Sequence, residues 1–184
     1  MGIIKIQDSG YIKPTNAGTQ ASAANRANSG NAITLDTATF TPSLKRNISA
    51  QPELATNIPS EVNLGSLENM QFQLECKLDS TNATDMALIQ HLIDMVRTNG
   101  YKFMWYQYSN ATTEKNNGKL IYQLAVNDVF GHQFTSDEQT EFSVSSGFYH
   151  LHVLFFEIQP RQSAGTSIVT YTLNGIVIPV ETVS

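Results

Sequence analysis

Met70, Phe72, Leu74, Cys76 and Leu78 alternate without a break with Gln71, Gln73, Glu75, Lys77 and Asp79. A period of two sends one set of side chains to a core and the other to water, so this segment reads as a strand with one buried face. Beyond Ser80-Thr-Asn-Ala-Thr84 the period changes to 3.6. At about 100° per residue, Met86, Leu88, Ile89, Leu92, Ile93, Met95 and Val96 fill one half of a helical wheel. Gln90, His91, Asp94, Arg97 and Thr98 fill much of the other half. Asn82, three residues before Asp85, is an N-terminal capping pattern, and Gly100 supplies a stop. An amphipathic helix over about residues 83–98, lying on a sheet, follows.

The remaining pattern is dominated by strands. Tyr101 to Tyr108 holds five of the chain's 17 aromatic residues, a composition suited to a pleated, half-buried surface. Leu120 to Val126 is expected as a strand after the turn-like Asn116-Asn-Gly118. Phe142 to Val144 and Phe148 to Ile158 are two more, split by Ser145-Ser-Gly147. Ile168 to Leu173 and Ile176 to Val180 flank Asn174-Gly175, the pair best suited to a two-residue hairpin. The expected fold class is mainly β: an antiparallel β-sandwich or barrel with one flanking amphipathic helix and a polar N-terminal arm.

That arm covers residues 1–60. Ile4 and Ile6 make a short apolar alternation, but Pro14 to Ala32 runs for nineteen residues without a large apolar side chain. Such a stretch cannot bury enough area to offset the entropy of ordering its backbone. Ile33, Leu35 and Phe40 form a second weak segment, and Pro42, Pro52 and Pro59 punctuate a loop. Two readings stand, a disordered tail or an arm that orders only on a neighbouring subunit, and the anchors Ile3, Ile4, Ile33, Leu35 and Phe40 favour the second. The expected division is an extended arm and loop region at 1–60, then a core at 61–184 with one helix and a C-terminal hairpin.

The surface is wetted by amides and hydroxyls. Asn (15), Thr (18), Ser (16) and Gln (12) make up a third of the chain, whereas charged residues are 15%. Little self-repulsion suits packing against further copies. With 11 basic against 16 acidic residues, a net charge of −5 and no Lys/Arg cluster, the chain is poorly equipped to grip nucleic-acid phosphates. Cys76, the single cysteine, excludes an intrachain disulfide and every multi-thiolate metal site, and its place in an apolar row reads as a small buried hydrophobe. No stretch approaches the roughly 18 apolar residues of a membrane span. No basic region followed by an apolar run opens the sequence, so no signal peptide is expected, and Ile6 stands where myristoylation wants Ser or Thr. The sequons at Asn47, Asn82 and Asn110 then read as accidents of an Asn/Thr-rich chain. The expectation is a soluble protein of a reducing compartment.

Candidate chemistry is thin. His150 and His152 share a strand face, and a metal set of His150, His152, His132 and Asp128 can be imagined. Nothing in the sequence brings the 128–132 loop to that strand, and zinc sites are more tightly clustered, so polar residues at the wet end of a strand is the favoured reading. Asp137, Glu138 and Glu141 read as a solvated acidic loop, with no apolar pocket nearby to raise a pKa. No glycine-rich loop opens a helix after a strand, and no G-x-S-x-G is present. Tyr101 to Tyr108 could stack bases or sugars, yet it carries a single cation, Lys102, so core packing is the expected role. No catalytic, cofactor or metal residues are assigned, and no enzymatic activity or cofactor is expected.

From residue 61 to 158 the order of elements is a proline-containing loop, an alternating strand, a short Asn/Thr/Asp turn, one amphipathic helix and a late strand rich in aromatics. The unit from Met70 to Met95, together with Phe148 to Ile158, resembles the tail tube proteins of tailed bacteriophages and the ring-forming proteins of contractile injection systems. The likeness covers about half of the chain and is one of element order, not of a residue signature. It implies a virion structural protein, present in the phage tail and assembled in the host cytoplasm. Its implied partners are further copies of itself in a ring, commonly a hexamer, and neighbouring rings or other tail proteins. DNA would be passing cargo in a channel, and no membrane is involved. The polar segment at 10–60 and the hairpin at 168–180 depart from the simplest tube protein, leaving open a hub, distal tail or tube-initiator role. Two other classes remain: a carbohydrate-binding or adhesin-like β-sandwich displaying Trp105 and its neighbouring tyrosines, and a metal-assisted hydrolase using His150 and His152.

Overall fold

The computed structural model describes residues 2–8, 33–52, 59–67, 69–97, 100–110, 112–127 and 129–179. Their elements run β1 (Ile3–Asp8), β2 (Ile33–Leu35), β3 (Thr39–Ser43), β4 (Arg46–Pro52), β5 (Pro59–Leu67), β6 (Met70–Asp79) and α1 (Ala83–Arg97). There follow β7 (Lys102–Gln107), α2 (Thr113–Asn116), α3 (Leu120–Ala125), β8 (Gly131–Gln133), α4 (Ser136–Glu141), β9 (Tyr149–Gln162) and β10 (Ile168–Ile178). Eight strands form one sheet in the order β2-β1-β7-β9-β10-β6-β3, with β8 also on β9. All its pairings are antiparallel. The expected mainly β fold with a flanking helix is the one observed.

The sheet closes on itself. β2 and β3 stand at opposite ends of the strand order yet are joined by only Asp36, Thr37 and Ala38. Four Cα steps reach at most about 14 Å, so the two ends must meet. Six antiparallel steps separate β2 from β3, so both run in the same direction. Residues 33–43 are therefore one kinked strand that changes partner: Leu35 lies opposite Ile4 of β1, and Phe40 lies opposite Leu74 of β6. The result is a barrel whose seam is bridged by a single strand.

Alternation sets what the barrel encloses. Ile6, Leu74, Met104, Leu151, Val153 and Leu173 are all fully buried on its inner face. β6 repeats the expected pattern, buried at even positions from Met70 to Leu78 and at least partly open at odd ones. Helix α1 lies against β6 and β9 and inserts Ile89 and Leu92. Its start is capped by Asn82, whose Oδ1 accepts from the N–H of Thr84 (2.8 Å) and of Asp85 (3.3 Å). Gly100, the next described residue after the helix, takes φ 95°.

Four expectations are corrected. The core does not begin near residue 61: β1, β2 and β3 belong to the main sheet, and Ile4, Ile6, Ile33 and Leu35 are buried. Pro14 to Ala32 lies outside the described residues. Leu120 to Val126 is not a strand but helix α3, which buries Ile121, Tyr122 and Ala125 at helical spacing and leaves Leu120, Gln123 and Val126 exposed. Phe142 to Val144 is not a strand but the turn that ends α4, with Phe142 N–H donating to Glu138 O (2.8 Å) and Ser143 at φ 53°. Asn174-Gly175 is no hairpin turn either. It lies inside β10, at a bulge where the partner shifts from Glu157 to Phe155. The turn falls at 163–167, where Gly165 has φ 81°.

Candidate functional site

The residues most able to do chemistry gather outside the barrel, not within it. On β7, Met104 faces the interior, so Tyr101, Phe103 and Trp105 face outward. They are nevertheless buried, Trp105 to 1% exposure, because β8, paired in the sheet at the start of β9, leads into Phe134 and α4, which cover them as a flap. Phe134 and Phe142 of the flap meet Trp105 at ring-centroid distances of 5.2 and 6.0 Å. Both also stand edge-on to Phe103. Between β8 and α4 the flap holds a capping box, in which Thr135 N–H donates to Glu138 Oε2 (2.9 Å) and Glu138 N–H donates to Thr135 Oγ1 (3.3 Å). Ser/Thr-x-x-Glu is a helix-start signature, and it is the sequence signal that could have placed α4.

Three histidines meet where this flap joins β9. β8 pairs with β9 so that His132 lies opposite His150, and His152 lies opposite Phe103 on the other side of β9. The rings stack: His132 on His152 at 3.7 Å, His150 and His152 at 5.0 Å, His132 and His150 at 5.7 Å. Phe103 stacks on His150 at 4.0 Å, and Tyr101 lies 5.0 Å from His152. Glu138 Oε2 stands 3.6 Å from His150 Nε2, with both side chains buried. Burial first, then His150, pushes His132 down to about 4, against a smaller upward pull from Glu138. Burial, then His150 and His132, holds His152 far below the ordinary histidine range. Nε2 of His132 and Nδ1 of His152 are buried and find no hydrogen-bond partner among the described residues.

The cluster thus unites His132, His150 and His152, a meeting that nothing in the sequence announced. It is not arranged as a metal centre. Near-parallel stacked rings direct their in-plane lone pairs along separate planes, and no group of three or more His, Cys, Asp or Glu among the described residues could hold a metal ion. Asp128, the fourth imagined ligand, lies outside the described residues.

Comparison with models of known protein families and with curated protein sequences finds no match. Function must therefore be argued from this chain's own geometry.

The other singled-out residues fall as follows. The acidic segment is no solvated loop: Asp137 is exposed, Glu141 half-buried and Glu138 buried to 3%. Lys102 is buried on the inner face, with Nζ donating to Gly100 O at 3.5 Å. Tyr101, Trp105, Tyr106 and Tyr108 are all buried, so the aromatic row forms packing and not a displayed platform. Asn82 caps α1, and Asn110 accepts from the N–H of Thr112 and Thr113 (3.1 and 2.9 Å) at the start of α2. Two of the three Asn-x-Ser/Thr matches are thus helix-start devices. Cys76 is a buried free thiol. The described helices include none long and apolar enough to cross a membrane.

One further element is a candidate for function by shape. β4 and β5 pair with each other in a separate two-stranded sheet and with no strand of the barrel. The chain leaves for this ribbon after β3 and returns at β6, where Ser43 lies directly opposite Gln71. The ribbon therefore springs from one point on the barrel.

Proposed function

We propose that this chain is a virion structural protein that self-assembles into rings of a phage tail tube or baseplate, enclosing a channel for DNA. The β4–β5 ribbon carries the reading. A two-stranded hairpin is marginally stable in water by itself, so a ribbon that joins no other strand is suited to a surface on a neighbouring subunit. Closed rings repeat each such contact by symmetry, so individually modest interfaces suffice. The mainly β barrel with a flanking helix agrees with what the tube-protein likeness implies, and a low-charge surface favours close packing of copies. The net charge of −5 has the same sign as passing DNA, which disfavours adhesion.

The facing of Ser43 and Gln71 makes the test simple. Residues 46–67 are replaced by a short glycine-containing loop, and full and excised chains are compared by light scattering and negative-stain electron microscopy. The full chain is expected to form rings or tubes at high concentration, and the excised chain to remain folded but dispersed. A full chain that stays monomeric overturns the assembly reading. Rings from the excised chain remove the ribbon from the role given to it.

A further inference from the structure

We propose that the imidazoles of His132, His150 and His152 are an acid-operated latch, which holds the flap of β8 and α4 over the outer aromatic row at neutral pH and releases it on acidification. The inference stands apart from ring assembly and rests on the packing of this one chain.

The latch joins two bodies. His132 travels with the flap, whereas His150 and His152 belong to β9 in the barrel. The closest ring pair between them is an imidazole on an imidazole, with centroids 3.7 Å apart. Neutral, these rings stack as ordinary aromatics among Phe103, Phe134 and Tyr101. Protonated, His132 and His152 become like charges face to face, with His152 buried and His132 partly so, where repulsion is little screened. The surroundings do not compensate. From α4, Glu138 stands beside His150 and can offset that imidazolium. Glu141 is a second, half-buried carboxylate on the same helix, and Asp137 is turned to solvent. From β1, Gln7 is neutral; from before β7, Tyr101 carries no charge in acid. Lys102 points to the barrel's inner side, toward Gly100 O, and would add only positive charge. Three imidazoliums would thus face at most two nearby carboxylates.

Besides the rings of Phe134 and Phe142 on Phe103 and Trp105, the flap is tied to the barrel through a short strand. Its strand makes three register pairs with β9, at Gly131, His132 and Gln133. Phe134 N–H adds a long bond of 3.3 Å to Phe148 O. Once open, the histidines are hydrated and titrate near 6.5, whereas in the closed flap His132 does so only at about 4 and His152 lower. The open form therefore binds more protons across that window, and acid favours it. Each such proton multiplies the open-to-closed ratio by up to about tenfold per pH unit, and since an open histidine is only half protonated at 6.5, the two together give on the order of a thousandfold between pH 6.5 and 4.5.

The chain carries its own reporter. Trp105 is the only tryptophan and is roofed by Phe134 and Phe142 of the flap. The full chain is titrated from pH 7.5 to 4.5 while Trp105 emission and far-UV circular dichroism are followed together. The expected result is a reversible red shift of emission with the strand signal retained. In His132→Phe and in His152→Phe the shift should move to lower pH and lose steepness, since phenyl stacks but does not titrate. Emission that stays fixed down to pH 4.5 overturns the latch, as does a red shift that coincides with loss of the strand signal. An unchanged midpoint in both folded variants overturns it too. Should either variant fail to fold, hydrogen exchange of the 132–134 amides in the unaltered chain decides. After correction for intrinsic rates, a selective loss of protection in acid supports release, and constant protection overturns it.

Discussion

Phe72 lies against Gly175, its partner across the β6–β10 pair, so closely that a Cβ on the glycine would stand 2.5 Å from the ring's Cζ. The same Cβ would approach Leu154 O to 2.7 Å. Close approach, not a turn, is what the glycine provides here.

Gly175→Ala should therefore destabilise the barrel by about 1–3 kcal/mol, the usual range for overpacking. For a chain of this size that is a fall in melting temperature of about 2–4 °C per kcal/mol. Thermal and urea unfolding read the loss. In the double variant Gly175→Ala with Phe72→Leu, the combined loss should be smaller than the sum of the two single losses, because the clash is shared. Strict additivity would deny the contact.

The α1 assignment is open to a paired test. Leu92 is fully buried, whereas Gln90 is exposed and donates to Asp94 Oδ1 at 3.2 Å. Leu92→Asp places a carboxylate in the core at several kcal/mol, on the order of the whole stability, and should abolish folding. Gln90→Ala should change stability by less than roughly 0.5 kcal/mol. Equal shifts in melting temperature would mean that the helix faces the other way.

What the sequence disclosed and what it hid divide along physical lines. β6 and α1 were legible because each buries one face only, so periods of 2 and 3.6 are written into their residues. Leu120 to Val126 was not, because a run of apolar residues has no period to read. Its helix is fixed by bonds such as Gln123 N–H to Lys119 O (2.9 Å). β1 and β2 are short, and what makes them strands is pairing with each other and of β1 with β7, some hundred residues away in sequence. The histidine cluster was hidden for the same reason. Only the β8–β9 register, formed by a strand of three residues, joins His132 to His150.

Cys76 should be chemically silent in the folded chain. Burial, with a smaller push from Glu75, raises its thiol from 9.0 to about 11. Thiolate at neutral pH is then about a hundredfold scarcer than for an unperturbed thiol of this kind, and at 2% exposure no reagent reaches the sulfur directly. Reaction with a thiol-specific disulfide reagent should proceed only through unfolding, and should accelerate in step with the unfolded fraction as urea is added. Rapid labelling at pH 7 without denaturant would contradict the buried placement of β6.

Removing residues 1–40 should destroy the fold rather than trim an arm. The deletion takes away β1, which stands between β2 and β7 in the sheet, and all of β2. With them go Ile4, Ile6, Ile33 and Leu35, at 8%, 0%, 3% and 3% exposure. Losing one such side chain to alanine costs about 2–5 kcal/mol, so four exceed much of a typical margin of roughly 5–15 kcal/mol. The inner edge of β7 would also lose its partner, and Ile6 would no longer cover Met104, which lies opposite it. Nor could β3 close the barrel alone, since only β2 connects the kinked strand back to β1. Far-UV circular dichroism and cooperative thermal unfolding of the 41–184 fragment measure the outcome. A soluble fragment that unfolds cooperatively near the full chain's temperature would show that the first forty residues are dispensable to the core. Ile6→Ala gives the graded version: the chain should still fold, but with stability reduced by about 2–5 kcal/mol.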